Sequence, residues 1–87
     1  MPAIRDARSF GAAIRSARNE QGISQTELAQ RARVSRRTLA SIEGGHPNGE
    51  IGMFLALLRA LDLEITLAPV RPSTFDLDYL DETTDEL

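Results

Sequence analysis

The sequence contains no cysteine and only one histidine, and both absences narrow what the chain can do. Without cysteine there is no disulfide framework and no thiolate zinc site, which removes two common supports of small domains. The 87 residues suffice for one small domain, which buries only about 60% of its unfolded surface. Oligomerisation remains as a way to stabilise so small a domain. Because one imidazole and no thiol leave little for an active site, we predict that the chain is not an enzyme and has no small-molecule substrate, cofactor or metal.

Long apolar runs are missing too. No run approaches the roughly 20 residues that a membrane span needs, and no signal peptide opens the chain. Hydrophobic residues make up 41% and charged residues 26% of the sequence, which is ordinary for globular proteins. These observations predict a cytoplasmic protein without membrane contact.

Lysine is also absent, and the charges are distributed unevenly. All 10 basic residues are arginines within residues 5–71, where 7 acidic residues leave a net charge of +3. The 6 acidic residues of 72–87 have no basic counterpart, so the whole chain carries −3. The sequence therefore predicts a basic body followed by an acidic tail.

Capping signals predict two helices in the first third of the chain. Asp6 is a candidate N-cap of the first helix, which ends at about Gln21 because Gly22 suits a left-handed stop. Ser24-Gln25-Thr26-Glu27 matches a capping box and predicts the start of a short second helix.

Residues 25–43 have the layout of a helix-turn-helix. Ser35 is the N-cap candidate of a third helix, which follows a tight turn at Arg33-Val34. With Leu39 and Ile42 facing inward, three polar residues share the exposed side of this helix: Arg36, Arg37 and Ser41.

The exposed polar side of the predicted third helix indicates binding to double-stranded DNA. The N-terminal end of such a helix faces base edges in the major groove, where arginine can bond both O6 and N7 of guanine. Ser24, Gln25 and Ser35 lie at helix starts, which suit phosphate oxygens, whereas Thr38 could touch a thymine methyl or the backbone. The predicted DNA-binding residues are Ser24, Gln25, Ser35, Arg36, Arg37, Thr38 and Ser41.

Arg36 and Arg37 have two alternative roles. They could form an ordinary solvent-exposed helix face, or they could read bases. If they do read bases, replacing either arginine should relax the preference at one base pair, whereas Gln25→Ala should weaken binding to all sequences about equally.

The region after residue 49 predicts a helix and then a strand. A strongly buried fourth helix is expected from about residue 50 to 61, on six apolar residues: Ile51, Phe54, Leu55, Leu57, Leu58 and Leu61. Leu63, Ile65 and Leu67 then alternate with polar residues up to Pro69, a strand pattern. Because a lone strand leaves backbone groups unpaired, we predict that these residues pair with the same strand of a second chain. The alternative is an irregular extension folded back on its own core.

Several segments together resemble a known family. Those around the predicted helix-turn-helix resemble the phage-repressor-type (Xre) helix-turn-helix family: Gly11-Ala12-Ala13-Ile14-Arg15, Gln21 through Ala29, Val34 through Leu39, and Ile42-Glu43-Gly44-Gly45. Within that family, residues 54–61 with Leu63-Glu64-Ile65 resemble HipB-like antitoxins. The resemblance covers about residues 7–69, and it departs at Arg33 and Asp62, where the family usually has glycine.

The resemblance implies a fold and a function. The fold is all-α, a compact repressor-like domain of four to five helices whose short C-terminal strand pairs across a homodimer. Arg18 and Glu43 would form a partly buried salt bridge. The function implied is repression of the chain's own operon through palindromic operator DNA, as the antitoxin of a HipA-like kinase toxin. A stand-alone Xre-type regulator and a protein-interaction adaptor are the alternatives, and the arginine-rich third helix argues against the adaptor.

The sequence divides into a DNA-binding and dimerisation domain, residues 1–69, and an acidic tail, residues 70–87. The acidity of the tail suits disorder in solution. Four apolar residues interleave with its acids and predict binding to a partner protein: Phe75, Leu77, Tyr79 and Leu80. The alternative is a weak mimic of DNA that folds back over the arginine face.

Overall fold

The computed structural model describes residues 3–46 and 50–70. They form four helices: α1 (Ala7–Glu20), α2 (Gln25–Ala32), α3 (Arg36–Glu43) and α4 (Ile51–Ala60). No strand occurs in these two ranges, so the predicted all-α fold is confirmed. None of the helices in the same ranges has the length and apolarity needed to cross a membrane. The predicted partner-binding residues lie outside the described residues: Phe75, Leu77, Tyr79 and Leu80.

The first two helices begin at the predicted N-caps. Asp6 Oδ1 accepts a hydrogen bond from the Ser9 backbone N–H at 2.7 Å, and the Ser9 hydroxyl accepts one from the Asp6 N–H at 3.1 Å. Ser24 and Glu27 make the same reciprocal pair at 3.0 and 3.1 Å. Each pair satisfies two backbone N–H groups that the helix itself leaves free. Short sequence signals therefore determine where α1 and α2 start.

Left-handed residues end two helices. Arg33, the residue after α2, has φ 60° and ψ 40°, and Asp62 has φ 62°. Both stand where the resembled family usually has glycine, so the turns keep their geometry at a strain of about 1 kcal/mol each. The turn from α2 into α3 is therefore retained without glycine.

The core lies between the four helices. Its buried apolar residues come from every helix and the residue after α4: Ile14, Ala17, Leu28, Ala29, Ala32, Leu39, Ile42, Leu57, Leu58 and Leu61. The predicted inward positions of α3, Leu39 and Ile42, are thus confirmed. Phe10 of α1 and Phe54 of α4 close one side of the core, with ring centroids 4.8 Å apart.

Gly11 marks the closest approach of α1 to α3. A Cβ atom at this position would overlap the carbonyl oxygen of Ile42 and lie 3.0 Å from that of Glu43. Only glycine allows the two backbones to approach this closely. Its contact places α3 against the middle of α1.

The prediction of a strongly buried fourth helix is wrong for two of its residues. Ile51 is 65% exposed and Leu55 40% exposed, whereas Leu57 and Leu58 are buried. The apolar residues of α4 cover more than one face of the helix, and the core of one chain covers only one face. The outer face of α4 is therefore apolar and open.

Residues 63–70 continue this open apolar region. They form neither helix nor strand, and all of them are exposed. Leu63 and Ile65 line a groove of 370 Å³ together with residues of α4, among them Leu55 and Arg59. The predicted strand requires a second chain as its partner, so it stays a prediction.

Candidate nucleic-acid interface

Helices α2 and α3 form the predicted helix-turn-helix. Ala29 of α2 is 3% exposed and accepts a bond from the Val34 backbone N–H at 3.0 Å, which closes the turn. Leu39 is fully buried beneath α3. With this side of α3 inward, Arg36 and Arg37 are exposed in the first turn of the helix, as predicted.

The two arginines differ in what holds them. Arg36 Nη1 donates a hydrogen bond to Gln25 Oε1 at 3.2 Å. Arg37 has no hydrogen bond or ion pair with any of residues 3–46 and 50–70. One guanidinium group is therefore oriented by α2, and the other extends into solvent.

Gln25 is bonded on both sides of its amide. Its Nε2 donates to Glu43 Oε1 at 3.0 Å, while its Oε1 accepts from Arg36. This bond from the start of α2 to the end of α3 was not anticipated from the sequence. Gln25 and Glu43 lie 18 residues apart, and no spacing pattern links them.

A buried ion pair lies behind Gln25. Arg18 Nε donates to Glu43 Oε2 at 2.7 Å and Arg18 Nη2 to Glu43 Oε1 at 3.1 Å, with side chains 12% and 3% exposed. Arg18 Nη1 also donates to the Ile23 carbonyl at 3.0 Å. The structural role expected for Arg18 is confirmed, because all three contacts face inward.

The charge state of this pair is fixed by its contacts. Burial of the carboxylate raises the pKa of Glu43, but hydrogen bonds from Arg18 and Gln25 and the charges of Arg18 and Arg15 outweigh it, so this pKa lies below its ordinary value of 4.5. The hydrogen bond to Glu43 raises the pKa of Arg18. Both groups are charged at neutral pH, so the carboxylate accepts hydrogen bonds only.

The hydroxyl groups predicted to contact phosphate also cap the helices. Ser24 Oγ accepts the Glu27 backbone N–H, and Ser35 Oγ accepts the Thr38 backbone N–H at 3.0 Å. The Ser35 hydroxyl donates to Thr38 Oγ1 at 2.7 Å. Among the residues that the structure describes, none accepts the Ser24 hydroxyl hydrogen, whereas that of Ser35 is engaged. Ser41, half-buried on α3, also has a partner within the chain. Contacts of these residues with DNA stay predictions.

Comparison with known proteins decides the family. The family model described as helix-turn-helix matches residues 14–67. The chain belongs to this helix-turn-helix family. The expected Xre-type resemblance is thereby confirmed, and the family consists of DNA-binding transcriptional regulators.

Two curated relatives come from Sinorhizobium fredii (strain NBRC 101917 / NGR234). The uncharacterised HTH-type transcriptional regulator y4mF is 39% identical over 67 residues, which are 76% of this chain and 88% of the relative. The uncharacterised HTH-type transcriptional regulator y4dL is 41% identical over 56 residues, 64% of this chain. The matched region spans only 29% of y4dL, so the likeness leaves most of that protein unmatched.

A solved structure shares the fold. A chain in the structure of a HipA-HipB-O2-O3 complex superimposes with a TM-score of 0.74 at 24% sequence identity. The match covers 82% of this chain and 100% of that chain. At this identity the likeness concerns the fold alone.

Proposed function

We propose that this chain is a sequence-specific repressor that binds palindromic operator DNA as a homodimer, with α3 in the major groove. The observation that carries the proposal is the pair of guanidinium groups of Arg36 and Arg37, exposed at the start of a helix supported from behind. The remaining contacts in the proposal are those of Ser24, Gln25, Ser35, Thr38 and Ser41. These residues lie on α2 and α3 or at their starts, and their hydroxyl, amide and helix-start N–H groups would exchange bonds within the chain for bonds to phosphates and base edges.

The distribution of apolar residues supports the homodimer. All but one of the large apolar residues exposed in the described ranges lie between residues 51 and 70, the exception being Ile4. We place the two-fold contact at the C-terminal apolar segment, which we define as residues 51–70. Leu63, Ile65 and Leu67 would pair there with the same residues of a second chain, and the two α3 helices would then reach successive turns of one DNA face.

The proposed biological role is that of an antitoxin that represses the operon it shares with a HipA-like kinase toxin. Support comes from the fold, which is similar to a chain that occurs in a complex with HipA. In this proposal residues 1–69 bind DNA and dimerise. The apolar residues of the tail, Phe75, Leu77, Tyr79 and Leu80, bind the partner protein.

DNA binding is tested by a gel shift of the full chain on the DNA upstream of its own gene, followed by footprinting. Binding should fall steeply as salt rises, because each arginine–phosphate contact releases counterions. The footprint should be two-fold symmetric. A chain that stays monomeric and binds no duplex at low salt would contradict the proposal.

A second candidate is a stand-alone Xre-type regulator without a toxin. It is supported by the sequence relative y4mF, which spans little more than the helix-turn-helix region and is described only as an HTH-type transcriptional regulator. Co-purification with the product of the neighbouring gene separates the two roles. A stable complex with a kinase-like protein supports the antitoxin, whereas DNA binding without any such complex supports the stand-alone regulator.

A further inference from the structure

Arg33 occupies the turn between α2 and α3 in a backbone conformation that disfavours arginine. Its φ of 60° and ψ of 40° lie in the left-handed region, where glycine, asparagine and aspartate are enriched and long side chains are strained. Asp62, the other non-glycine residue of positive φ that the structure describes, is of a type that tolerates this region. The backbone of the turn therefore does not account for an arginine at position 33.

Contacts within the described chain do not account for this arginine either. Arg33 is exposed, and its side chain makes no hydrogen bond or ion pair with any of residues 3–46 and 50–70. The neighbouring Arg31, by contrast, pairs with Glu27 at 3.9 Å. The positive charge of Arg33 thus has no carboxylate partner in these two ranges.

The turn lies next to the surface that is proposed to face DNA. Arg33 precedes Arg36 by three residues, and a segment of that length spans at most about 11 Å. With α3 in a major groove about 12 Å wide, a residue at this distance lies near the phosphates that border the groove. The Ser35 hydroxyl already donates to Thr38 Oγ1 at 2.7 Å. Arg33 is therefore better supplied with N–H donors for a phosphate than the serine two residues after it.

We propose that Arg33 is a phosphate-binding residue, which adds a contact with the DNA backbone from the turn before α3. The proposal rests on the proposed binding of DNA by α3. A guanidinium group has five N–H donors in a fixed fork that matches two oxygens of one phosphate. An arginine in a strained conformation without a partner is thereby explained by an anion that binds from outside the domain.

A phosphate contact has a measurable signature. It carries no sequence information, so its loss lowers the affinity for all duplexes by the same factor. One Arg33 from each chain of the proposed dimer should account for about 2 of the slope of log affinity against log salt. Between about 50 and 200 mM salt, the wild type should therefore lose about 10-fold more affinity than a variant without this charge.

The decisive variant is Arg33→Asn, because asparagine tolerates the left-handed backbone and carries no charge. It should unfold at the same temperature as the wild type or a higher one, and yet bind DNA more weakly. A residue needed only for the turn would behave differently, since its replacement would lower the unfolding temperature and leave the salt slope unchanged. Arg33→Lys keeps the charge in the same backbone, so it should retain the slope.

The test uses the full chain and two duplexes, the one footprinted upstream of its gene and a scrambled duplex of the same length. Dissociation constants are measured over a range of salt concentrations, well below the unfolding temperature, for the wild type, Arg33→Asn and Arg33→Lys. Arg31→Asn is the matched control, because it removes the same charge two residues away from a side chain that has an ion partner. The folded fraction of a preparation shifts all its affinities by one factor, so it does not change the slope.

We expect Arg33→Asn alone to reduce the salt slope, with equal losses on the two duplexes. An unchanged slope, an equal reduction in Arg31→Asn, or a loss confined to the footprinted duplex would overturn the role of Arg33 while leaving DNA binding intact. If the wild type binds no duplex at low salt, the proposed function fails and the role of Arg33 with it.

Discussion

The helix-turn-helix and the C-terminal apolar segment differ in how far one chain completes them. In residues 25–43 the buried positions are apolar, the helix starts are capped, and the buried carboxylate of Glu43 is paired. In residues 51–70 six large apolar side chains are exposed and residues 63–70 have no regular structure. One chain suffices to build the first region, whereas the second is open for a partner.

The difference separates two kinds of substitution. Changes behind α3 should lower the stability of the fold itself. Changes on the C-terminal apolar segment should leave the fold intact and weaken association. The predictions below test this separation, beginning with the largest effect.

Glu43→Ala should have the largest effect, a loss of about 3 to 5 kcal/mol in the free energy of unfolding. Removing one partner of a buried ion pair leaves the other charge uncompensated, and Arg18 is only 12% exposed. Urea denaturation followed by circular dichroism, at one fixed chain concentration, measures the change. The control is Arg31→Ala, because Arg31 pairs with Glu27 at 3.9 Å on the surface. Equal losses in the two variants would contradict the structural role of the buried pair.

Gly11→Ala should cost about 3 kcal/mol, because the added methyl group would force α1 and α3 apart. Gly52→Ala is the matched control, since a Cβ on this residue of α4 meets nothing within 4 Å. Because Gly52 is the second residue of α4, that variant should gain about 0.5 kcal/mol from helix propensity, less than in a helix interior. Thermal unfolding of the two variants should therefore shift in opposite directions, and a shared direction would refute the close contact at Gly11.

The same division explains what the sequence could predict. The caps at Asp6 and Ser24 and the inward positions of Leu39 and Ile42 depend on residues three or four apart, so local patterns identify them. The turn at Arg33 also follows from its neighbours, even without glycine. These local features were sufficient to locate the helix-turn-helix and its exposed arginines.

Contacts between distant residues were harder to predict. The bonds from Gln25 to Glu43 and Arg36 form only when α2 and α3 pack, and no pattern in the chain signals them. The exposure of Ile51 and Leu55 was missed for a different reason. Apolar spacing shows that a residue is suited to burial, but it does not show whether its own chain or a second one covers it.

Ile65→Ser should weaken self-association and leave the fold unchanged. Ile65 is 50% exposed in the single chain, so its covering by a partner is worth about 1 kcal/mol per chain and about 2 kcal/mol per dimer. The dimer dissociation constant should rise by about 30-fold, measured by sedimentation equilibrium. Ile4→Ser is the matched control, because Ile4 is 49% exposed at the other end of the described chain. Equal effects of the two variants would remove the distinction between the two regions.

The smallest expected effect is the contribution of Glu43 to stability in acid. Its pKa in the folded chain lies below the ordinary 4.5, so the unfolded chain takes up this proton first as the pH falls. The stabilisation by Glu43 is complete above pH 4.5 and is lost as the pH drops through the pKa of the folded chain.

Asp6 acts in the same direction, because the backbone N–H and the hydroxyl of Ser9 lower its pKa. Asp6→Asn keeps an N-cap acceptor and removes this second titration. In the Asp6→Asn background, unfolding between pH 7 and pH 3 should therefore be less pH-dependent once Glu43→Gln is added. An unchanged pH dependence would mean that the pair with Arg18 does not distinguish the folded from the unfolded chain, and the helix-turn-helix would then owe its stability to its apolar contacts and helix caps without this pair.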